Sequence, residues 1–256
     1  MKLHANGKLL FNQVDAVLFD KDGTLIDIHH YWTSMISLRA DKVIDVWFSG
    51  HENKNKIKTN LISLLGVDLS TGKMKPEGPV GIKSRPEIVS IVSNFINEMG
   101  QPDIIDIQVE ELFQHVDKET SIDMSHLLRL LPGVLKLLKA LKSSNVPMFI
   151  VTTDLTDRAK EAVKVLNLNF YFDEIVGGDA VQNPKPSPDL VDLIVNKYKL
   201  DRRNIVVVGD HVVDIQMGLN AGVPNNIGEG TGLMSCTDLK KIPCSTVETL
   251  EQLEVL

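Results

Sequence analysis

Cysteines and long apolar runs are scarce in this chain of 256 residues. Its two cysteines, Cys236 and Cys244, fit no zinc or redox spacing, so free thiols are the main expectation and a disulfide is the alternative. No apolar run approaches the length of a membrane span, and residues 1–8 lack the apolar region of a signal peptide. We therefore expect a cytoplasmic protein that has no membrane as a partner.

The sequence also has no excess of basic residues. It contains 34 acidic residues against 27 lysines and arginines, which gives a net charge of -7. This balance argues against nucleic acid or an anionic membrane surface as a partner. An anionic small substrate stays open, because a metal ion and one or two lysines can reverse the field in a cleft. The sequence does not determine the oligomeric state.

A short apolar strand that ends in two acids is the feature on which the other predictions depend. Residues 16–19 form an apolar run, which Asp20 and Asp22 follow directly. Extended residues two apart point to the same side, so both carboxylates should face one crevice while Lys21 points away as a structural residue. Gly23 allows a sharp bend after them. Such close carboxylates suit a cation such as Mg²⁺, although Asp and Gly also form simple turns.

The chain changes character twice along its length, which predicts two domains. Residues 28–129 carry apolar positions at helical spacing, without alternation of strands and helices. From residue 130 onward, short apolar runs alternate with amphipathic helices, the pattern of a parallel sheet. We expect an α/β fold: a doubly wound, Rossmann-like parallel sheet formed by residues 1–27 and 130–256, with residues 28–129 inserted as a helical cap domain.

Two shorter segments at the ends of the chain have their own predictions. Residues 9–11 either add an edge strand or pack on the core. Residues 246–253 carry apolar positions at a spacing that favours a final helix.

Every strand expected in the sheet ends in polar residues of complementary chemistry. The carboxyl ends of parallel strands meet at one edge, so these residues should converge on the crevice that holds the two acids. They supply further carboxylates, hydroxyls and one ammonium, the groups that phosphoryl transfer requires for a metal and for the phosphoryl oxygens. The residues are Thr152 and Thr153 after one strand, Asp210 and Asp214 after another, and Lys185 in a loop between them in the chain.

Each of these residues also has a simpler explanation. A threonine pair at a strand end can be ordinary strand filling, and a lone lysine in a loop can be a solvated charge. Asp210 or Asp214 can cap the helix that follows. Their joint occurrence on successive strands favours a catalytic site.

On these motifs the chain resembles the haloacid dehalogenase superfamily of hydrolases, in particular its phosphatase branch with a helical cap, such as phosphoglycolate phosphatase. Residues 20–24 are similar to the first motif of the family, and Thr152 is similar to the second. Lys185 is similar to the third motif, and residues 209–214 are similar to the fourth. The resemblance covers the core, whereas the insert matches only in position and helical character.

The resemblance implies catalytic and phosphate-binding roles. Asp20 would be the nucleophile that forms an aspartyl-phosphate, and Asp22 the general acid and then the general base. Lys185 would pair with Asp20 and with the phosphate. The phosphate-binding residues would be Thr152, Thr153, Lys185 and Gly23.

The same resemblance implies a bound Mg²⁺. Its protein ligands would be the Asp20 and Asp210 carboxylates and the backbone carbonyl of Asp22. Asp214 would act in the outer shell by orienting a metal-bound water.

The implied function is a Mg²⁺-dependent phosphatase that hydrolyses a phosphate monoester of a small metabolite. An acid at Asp22 points to phosphate esters, because dehalogenase members of the family release halide without a proton and lack this acid. The first alternative is a phosphomutase of the same superfamily, which returns the phosphoryl group to its substrate. The second is a non-catalytic regulatory or binding protein, against which the intact acids and lysine argue. The cap would exclude water and select a substrate that the sequence does not identify.

Overall fold

The computed structural model describes residues 1–101 and 103–256, which form two compact units: Met1–Ile28 with Leu128–Leu256, and His29–Leu127. The strands described are β1 (Leu3–Ala5), β2 (Lys8–Phe11), β3 (Ala16–Phe19), β4 (Val67–Asp68), β5 (Lys73–Met74), β6 (Met148–Val151), β7 (Glu174–Val176), β8 (Ile205–Gly209), β9 (Asn225–Glu229), β10 (Ser245–Val247) and β11 (Leu253–Val255). The α-helices described are α1 (Ile28–Trp47), α2 (Lys54–Leu64), α3 (Arg85–Glu98), α4 (Asp106–Ser121), α5 (Val134–Ser143), α6 (Thr156–Val165), α7 (Asp189–Tyr198), α8 (Val212–Asn220) and α9 (Cys236–Leu239).

The first unit is built on a parallel sheet of six strands in the order β10-β9-β8-β3-β6-β7. Every residue of β3, β6 and β8 is buried. Strands that are covered on both faces have no polar side, which is why these three appear in the sequence as continuous apolar runs. On one face, Leu18, Phe149 and Val207 belong to a core cluster with Ile194 of α7 and Met217 of α8. The predicted α/β fold with a parallel sheet is confirmed.

The strand order determines where a ligand site can form. Strand β3 lies between β8 and β6, and the chain extends outward from this centre in both directions, so the strand order reverses beside β3. Open α/β sheets bind ligands at the carboxyl ends of strands at such a reversal. Phe19, the last residue of β3, pairs with Val208 of β8 and Ile150 of β6, so all three strands end at nearly the same level.

The two ends of the chain meet in a second, antiparallel sheet with the order β11-β1-β2. Residues 9–11 lie in β2 of this small sheet. The prediction of a final helix over residues 246–253 is wrong, because β10 joins the main sheet beside β9 and β11 pairs with β1. The apolar spacing of this segment suits a helix, but strands distant in sequence supply its backbone partners.

The second unit consists mainly of the helices α1 to α4, with α3 packed on α4. The two-residue strands β4 and β5 pair with each other between α2 and α3. The interior of the second unit contains a buried arginine, Arg39, which pairs with Asp117 at 2.8 Å and lies 4.5 Å from the centre of the Phe113 ring.

In residues 1–101 and 103–256, no helix combines the length and apolarity needed to cross a membrane. Both cysteines are free thiols, as expected.

Candidate active site

The carboxyl ends of three neighbouring strands hold predicted site residues at one edge of the main sheet. Asp20 follows β3, Thr152 follows β6 and Asp210 follows β8. The Asp20 N–H donates a hydrogen bond to the carbonyl of Val208 at 2.8 Å, and the Thr152 N–H donates to Val176 at 3.0 Å. The backbone ladder thus continues one residue beyond β3 and β6, which fixes where these two side chains leave the sheet.

Three of the predicted carboxylates form a buried cluster. One oxygen from each of Asp20, Asp210 and Asp214 lies within 4.8 Å of the other two, and all three residues are buried. Burial raises the pKa of Asp20 to about 7, although the nearby Lys185 ammonium opposes the shift. Burial, together with the charges of Asp214 and Asp20, raises the pKa of Asp210 well above its usual range. Negative charge is therefore in excess at this edge of the sheet.

Lys185 supplies the positive charge that contacts this cluster. Its Nζ donates to Asp20 Oδ1 at 2.5 Å and to Asp214 Oδ1 at 2.6 Å. Burial opposes the charged ammonium, but the two carboxylates outweigh burial and raise the pKa of Lys185 above its usual value. The lysine is thus a buried, doubly paired cation, which excludes the simpler explanation of a solvated charge.

Asp214 has two roles at once. It is the third residue of α8, and its Oδ2 accepts a hydrogen bond from the His211 N–H at 3.0 Å, which caps the helix. Its other oxygen accepts from Lys185. A β-carbon at Gly209 would overlap Asp214, so the glycine at the end of β8 leaves space for this carboxylate. Asp214 therefore caps α8 and also belongs to the carboxylate cluster.

The donor set of this cluster suits a divalent cation. Three buried carboxylates face a single ammonium, so two negative charges stay uncompensated when all the groups are ionised. Clustered carboxylate oxygens are the ligands that hard cations such as Mg²⁺ prefer. The raised pKa values of Asp20 and Asp210 have the same cause, because a buried like-charge group resists ionisation until a cation or a proton compensates it.

Residues on a loop after β9 also contact the cluster, and the sequence reasoning missed them. The Leu233 N–H donates to Asp210 Oδ2 at 2.6 Å. The Asp210 carboxylate lies against two glycines, Gly23 and Gly232, because a β-carbon at either position would overlap it. The run Gly230-Thr231-Gly232 directly after β9 was the available signal, since glycines permit close approach of the backbone.

Lys21 contacts Asp22, contrary to the prediction that it points away from the two acids. Its Nζ lies 2.7 Å from both oxygens of Asp22 and 3.2 Å from Asp154 Oδ2. Strand alternation does not apply here, because β3 ends at Phe19 and the chain is already turning at Lys21. Burial opposes the charge on Asp154, but Lys21 and Arg158 outweigh it and lower the pKa of that carboxyl. The sequence reasoning missed Asp154 as well.

The other predicted site residues lie outside the cluster of three carboxylates. Thr152 is buried, and its Oγ1 accepts a hydrogen bond from the Asp154 N–H at 3.1 Å. Thr153 is partly buried. The Asp22 carboxylate lies near enough to contribute to the raised pKa of Asp20, but the three-carboxylate cluster does not include it. Gly23 supports Asp210 through the absence of a side chain. Phosphate-binding roles for these residues stay predictions.

Comparison with known proteins assigns the chain to a family. The family model of haloacid dehalogenase-like hydrolases matches residues 14–222. The chain is 32% identical to a pyrophosphatase, PpaX, of Halalkalibacterium halodurans over 82% of this chain and 81% of that protein. It is 26% identical to a phosphoglycolate phosphatase of Rhodobacter capsulatus, again over 82% of this chain and 81% of that protein.

A solved structure extends the similarity to nearly the whole chain. The crystal structure of a predicted phosphoglycolate phosphatase from Haemophilus somnus 129PT superposes with a TM-score of 0.68 at 18% identity. The superposition covers 94% of this chain and 96% of that one. At this level of identity, the similarity establishes the fold.

The chain belongs to the haloacid dehalogenase-like hydrolase family. The match spans the strands that carry Asp20, Thr152 and Asp210, so the family assignment includes the edge of the sheet where the carboxylates cluster. The family and the hydrolase class predicted from the motifs are confirmed, and curated relatives of the chain are phosphatases.

Proposed function

We propose that the protein is a Mg²⁺-dependent phosphatase that hydrolyses a phosphate monoester of a small metabolite through an aspartyl-phosphate on Asp20. The observation that carries this proposal is the Lys185 ammonium, which joins Asp20 to Asp214 beside the Asp210 carboxylate at the carboxyl ends of β3 and β8. Phosphoryl transfer requires a positioned nucleophile, a cation site and a fixed positive charge, and this cluster contains all three.

The first half of the reaction transfers the phosphoryl group to the enzyme. Lys185 donates to Oδ1 of Asp20, which orients the carboxylate so that Oδ2 can attack phosphorus. As that oxygen–phosphorus bond forms, the bond from phosphorus to the leaving oxygen breaks. Asp22 gives its proton to the leaving oxygen, and the alcohol departs.

The second half returns the enzyme to its starting state. Asp22, now a carboxylate, takes a proton from water, and the water oxygen attacks the phosphorus of the aspartyl-phosphate. The Asp20–phosphorus bond breaks, which releases inorganic phosphate and restores the Asp20 carboxylate. When bound, Mg²⁺ would neutralise charge on the phosphoryl oxygens and on the carboxylates.

The ligands proposed for the ion are the Asp20 and Asp210 carboxylates and the Asp22 carbonyl, with Asp214 in the outer shell. Residues 28–129 are proposed to form the cap domain that selects the substrate. The relatives act, by their names, on pyrophosphate and phosphoglycolate, so the substrate proposed here is of the same class, a small phosphorylated anion. The phosphatase names of these relatives favour hydrolysis over a phosphomutase reaction.

The test measures phosphate release from p-nitrophenyl phosphate, phosphoglycolate and pyrophosphate, with Mg²⁺ and with EDTA. We expect turnover that requires the metal and that falls below detection in Asp20→Asn. Asp201→Asn is the matched control, because Asp201 is an exposed acid whose partner is Arg203. Rapid acid quenching followed by peptide mapping should locate a phosphoryl group on Asp20.

Two results would contradict the proposal. The first is turnover that persists in EDTA or in Asp20→Asn. The second is no phosphate release from any ester by a folded, metal-supplied protein. Conversion of a phosphorylated sugar to its isomer without net phosphate release would identify the phosphomutase reaction in its place.

A further inference from the structure

A buried ammonium holds the carboxylate that the proposed function assigns to proton transfer. Lys21 is fully buried, and its Nζ donates to both oxygens of Asp22 at 2.7 Å. The same Nζ lies 3.2 Å from Asp154 Oδ2. An ammonium that contacts both oxygens of one carboxylate restricts rotation of that side chain, because either rotation or retreat breaks a charge-assisted hydrogen bond.

Asp154 is itself fixed by the segment that follows β6. Its Oδ1 accepts a hydrogen bond from the Leu155 N–H at 2.8 Å and lies 3.5 Å from Arg158 Nε. Its own N–H donates to Thr152 Oγ1 at 3.1 Å. Contacts therefore run without interruption from the end of β6, through Asp154 and Lys21, to the Asp22 carboxylate.

The four charged side chains of this arrangement balance one another when Asp22 is ionised. Lys21 and Arg158 then carry two positive charges, and Asp22 and Asp154 carry two negative charges, all on buried side chains. Asp22 must take up a proton before it can protonate the leaving oxygen. A buried ion pair is by itself weak evidence for a contribution to stability, since desolvation offsets most of the attraction. Here the Lys21 ammonium contacts both oxygens of the proposed catalytic acid, Asp22. This geometry points to a role in orienting that acid.

We propose that Lys21 and Asp154 are positioning residues, which hold the Asp22 carboxyl within reach of the leaving oxygen. The inference rests on the proposed function, because it assumes that Asp22 protonates that oxygen. A general acid acts only within hydrogen-bond distance of the atom it protonates, so a carboxyl that rotates freely spends less time in a productive position. Lys21 acts directly on Asp22, and Asp154 acts through Lys21.

The test exploits the unequal need of leaving groups for a proton. Nitrophenolate is a stable anion and leaves without one, whereas unsubstituted phenol requires protonation as the bond breaks. The substrates are phenyl phosphates that differ only in the ring substituent, and the variants are Lys21→Met and Asp154→Asn. For phenyl phosphate, kcat/KM should fall at least about 10-fold, a part of the ~10²–10⁴-fold that a positioned acid supplies, and for p-nitrophenyl phosphate it should change by less than about 3-fold.

A double variant and a control complete the design. Lys21→Met with Asp154→Asn should be no slower than Lys21→Met alone, because both residues act through the same contact. Lys197→Met is the matched control, because it removes a lysine from an exposed pair with Glu174. It should leave kcat/KM unchanged for both esters. If Lys21→Met does not fold, Asp154→Asn, which keeps the lysine beside Asp22, carries the test.

The outcomes separate this inference from the function on which it rests. A loss of kcat/KM that is confined to substrates with poor leaving groups would support the positioning role. Equal loss on all the phenyl phosphates, or no loss on any of them, would overturn it while metal-dependent turnover by the wild type still supports a phosphatase. A wild type without metal-dependent turnover would overturn the proposed function, and this inference with it.

Discussion

Gly23 lies directly against the Asp210 carboxylate, so closely that a β-carbon at position 23 would overlap its oxygens. The two residues follow neighbouring strands, Gly23 after β3 and Asp210 after β8. The φ angle of Gly23 is 97°, in a region that side chains other than glycine rarely adopt. The absence of a side chain here thus serves both the turn after the first two acids and the approach of the third.

Gly23→Ala should destabilise the protein and weaken metal binding. The backbone strain costs about 1 kcal/mol, and displacement of a buried carboxylate adds ~1–3 kcal/mol. Gly222→Ala is the matched control, because Gly222 has a φ of 72° with open space around its α-carbon, so it isolates the strain. Urea unfolding and Mg²⁺ titration calorimetry would measure both effects. Equal destabilisation by the two variants would show that the overlap with Asp210 has no consequence.

Lys185→Met should remove activity and lower stability. The variant leaves Asp20 and Asp214 without their shared ammonium, and breaking a buried pair in this way costs about 3–5 kcal/mol. Lys197→Met breaks an exposed pair with Glu174 and should cost only about 0–1 kcal/mol. Urea unfolding in EDTA compares the two. A cost for Lys185→Met as small as that of the control would contradict the paired geometry.

Divalent metal should stabilise the wild type. Asp210→Asn should stabilise the metal-free protein and weaken the stabilisation by metal. Ligand binding at 100 times the dissociation constant stabilises by about 2.7 kcal/mol. Burial and neighbouring carboxylates raise the pKa of Asp210, so its replacement by a neutral amide should relieve repulsion and stabilise the metal-free protein.

Thermal unfolding in EDTA and in Mg²⁺ tests both statements about the metal. In Asp210→Asn, Tm should be higher than that of the wild type in EDTA, and it should rise less when Mg²⁺ is added. Asp201→Asn is the control, and its metal response should equal that of the wild type. An undiminished metal response in Asp210→Asn would exclude Asp210 as a ligand.

Glu229→Gln should change how stability depends on pH. Burial raises the pKa of this carboxyl, at the end of β9, from 4.5 to about 7. Between these values the folded state binds more protons than the unfolded state, so stability falls as pH rises through this window. The shift corresponds to about 3 kcal/mol.

The amide variant cannot ionise, so its stability relative to the wild type should increase by that amount between about pH 4 and pH 8. Gln keeps an oxygen that can accept a hydrogen bond from the Thr231 hydroxyl, which limits the loss of stability from other causes. Urea unfolding at several pH values in EDTA measures the difference. A stability difference that does not change with pH would show that Glu229 is ionised in the folded protein throughout.

Much of the site could be predicted because it depends on local features. Asp20, Thr152 and Asp210 each follow an apolar run, and the ends of parallel strands meet at one edge of a sheet. Lys185 lies in a loop between two prolines, which stiffen the segment that presents it. These inferences require only that each run forms a strand, which its composition favours on its own.

Other predictions failed where a local rule was extended beyond its element. Strand alternation predicted that Lys21 points away from Asp22, but the strand had already ended at Phe19. Apolar spacing predicted a helix over residues 246–253, but β9 and β1 supply strand partners for this segment. In both cases the deciding contacts come from outside the local pattern.

The sequence by itself indicated which residues to expect at the carboxyl edge of the sheet, because residue type and position after a strand are local properties. Only the tertiary structure decided their pairings: Lys185 with Asp20 and Asp214, Lys21 with Asp22 and Asp154, and Leu233 with Asp210. Most of these contacts join residues far apart in the chain. They form because the strand order brings β8, β3 and β6 side by side, and that order depends on packing throughout the core.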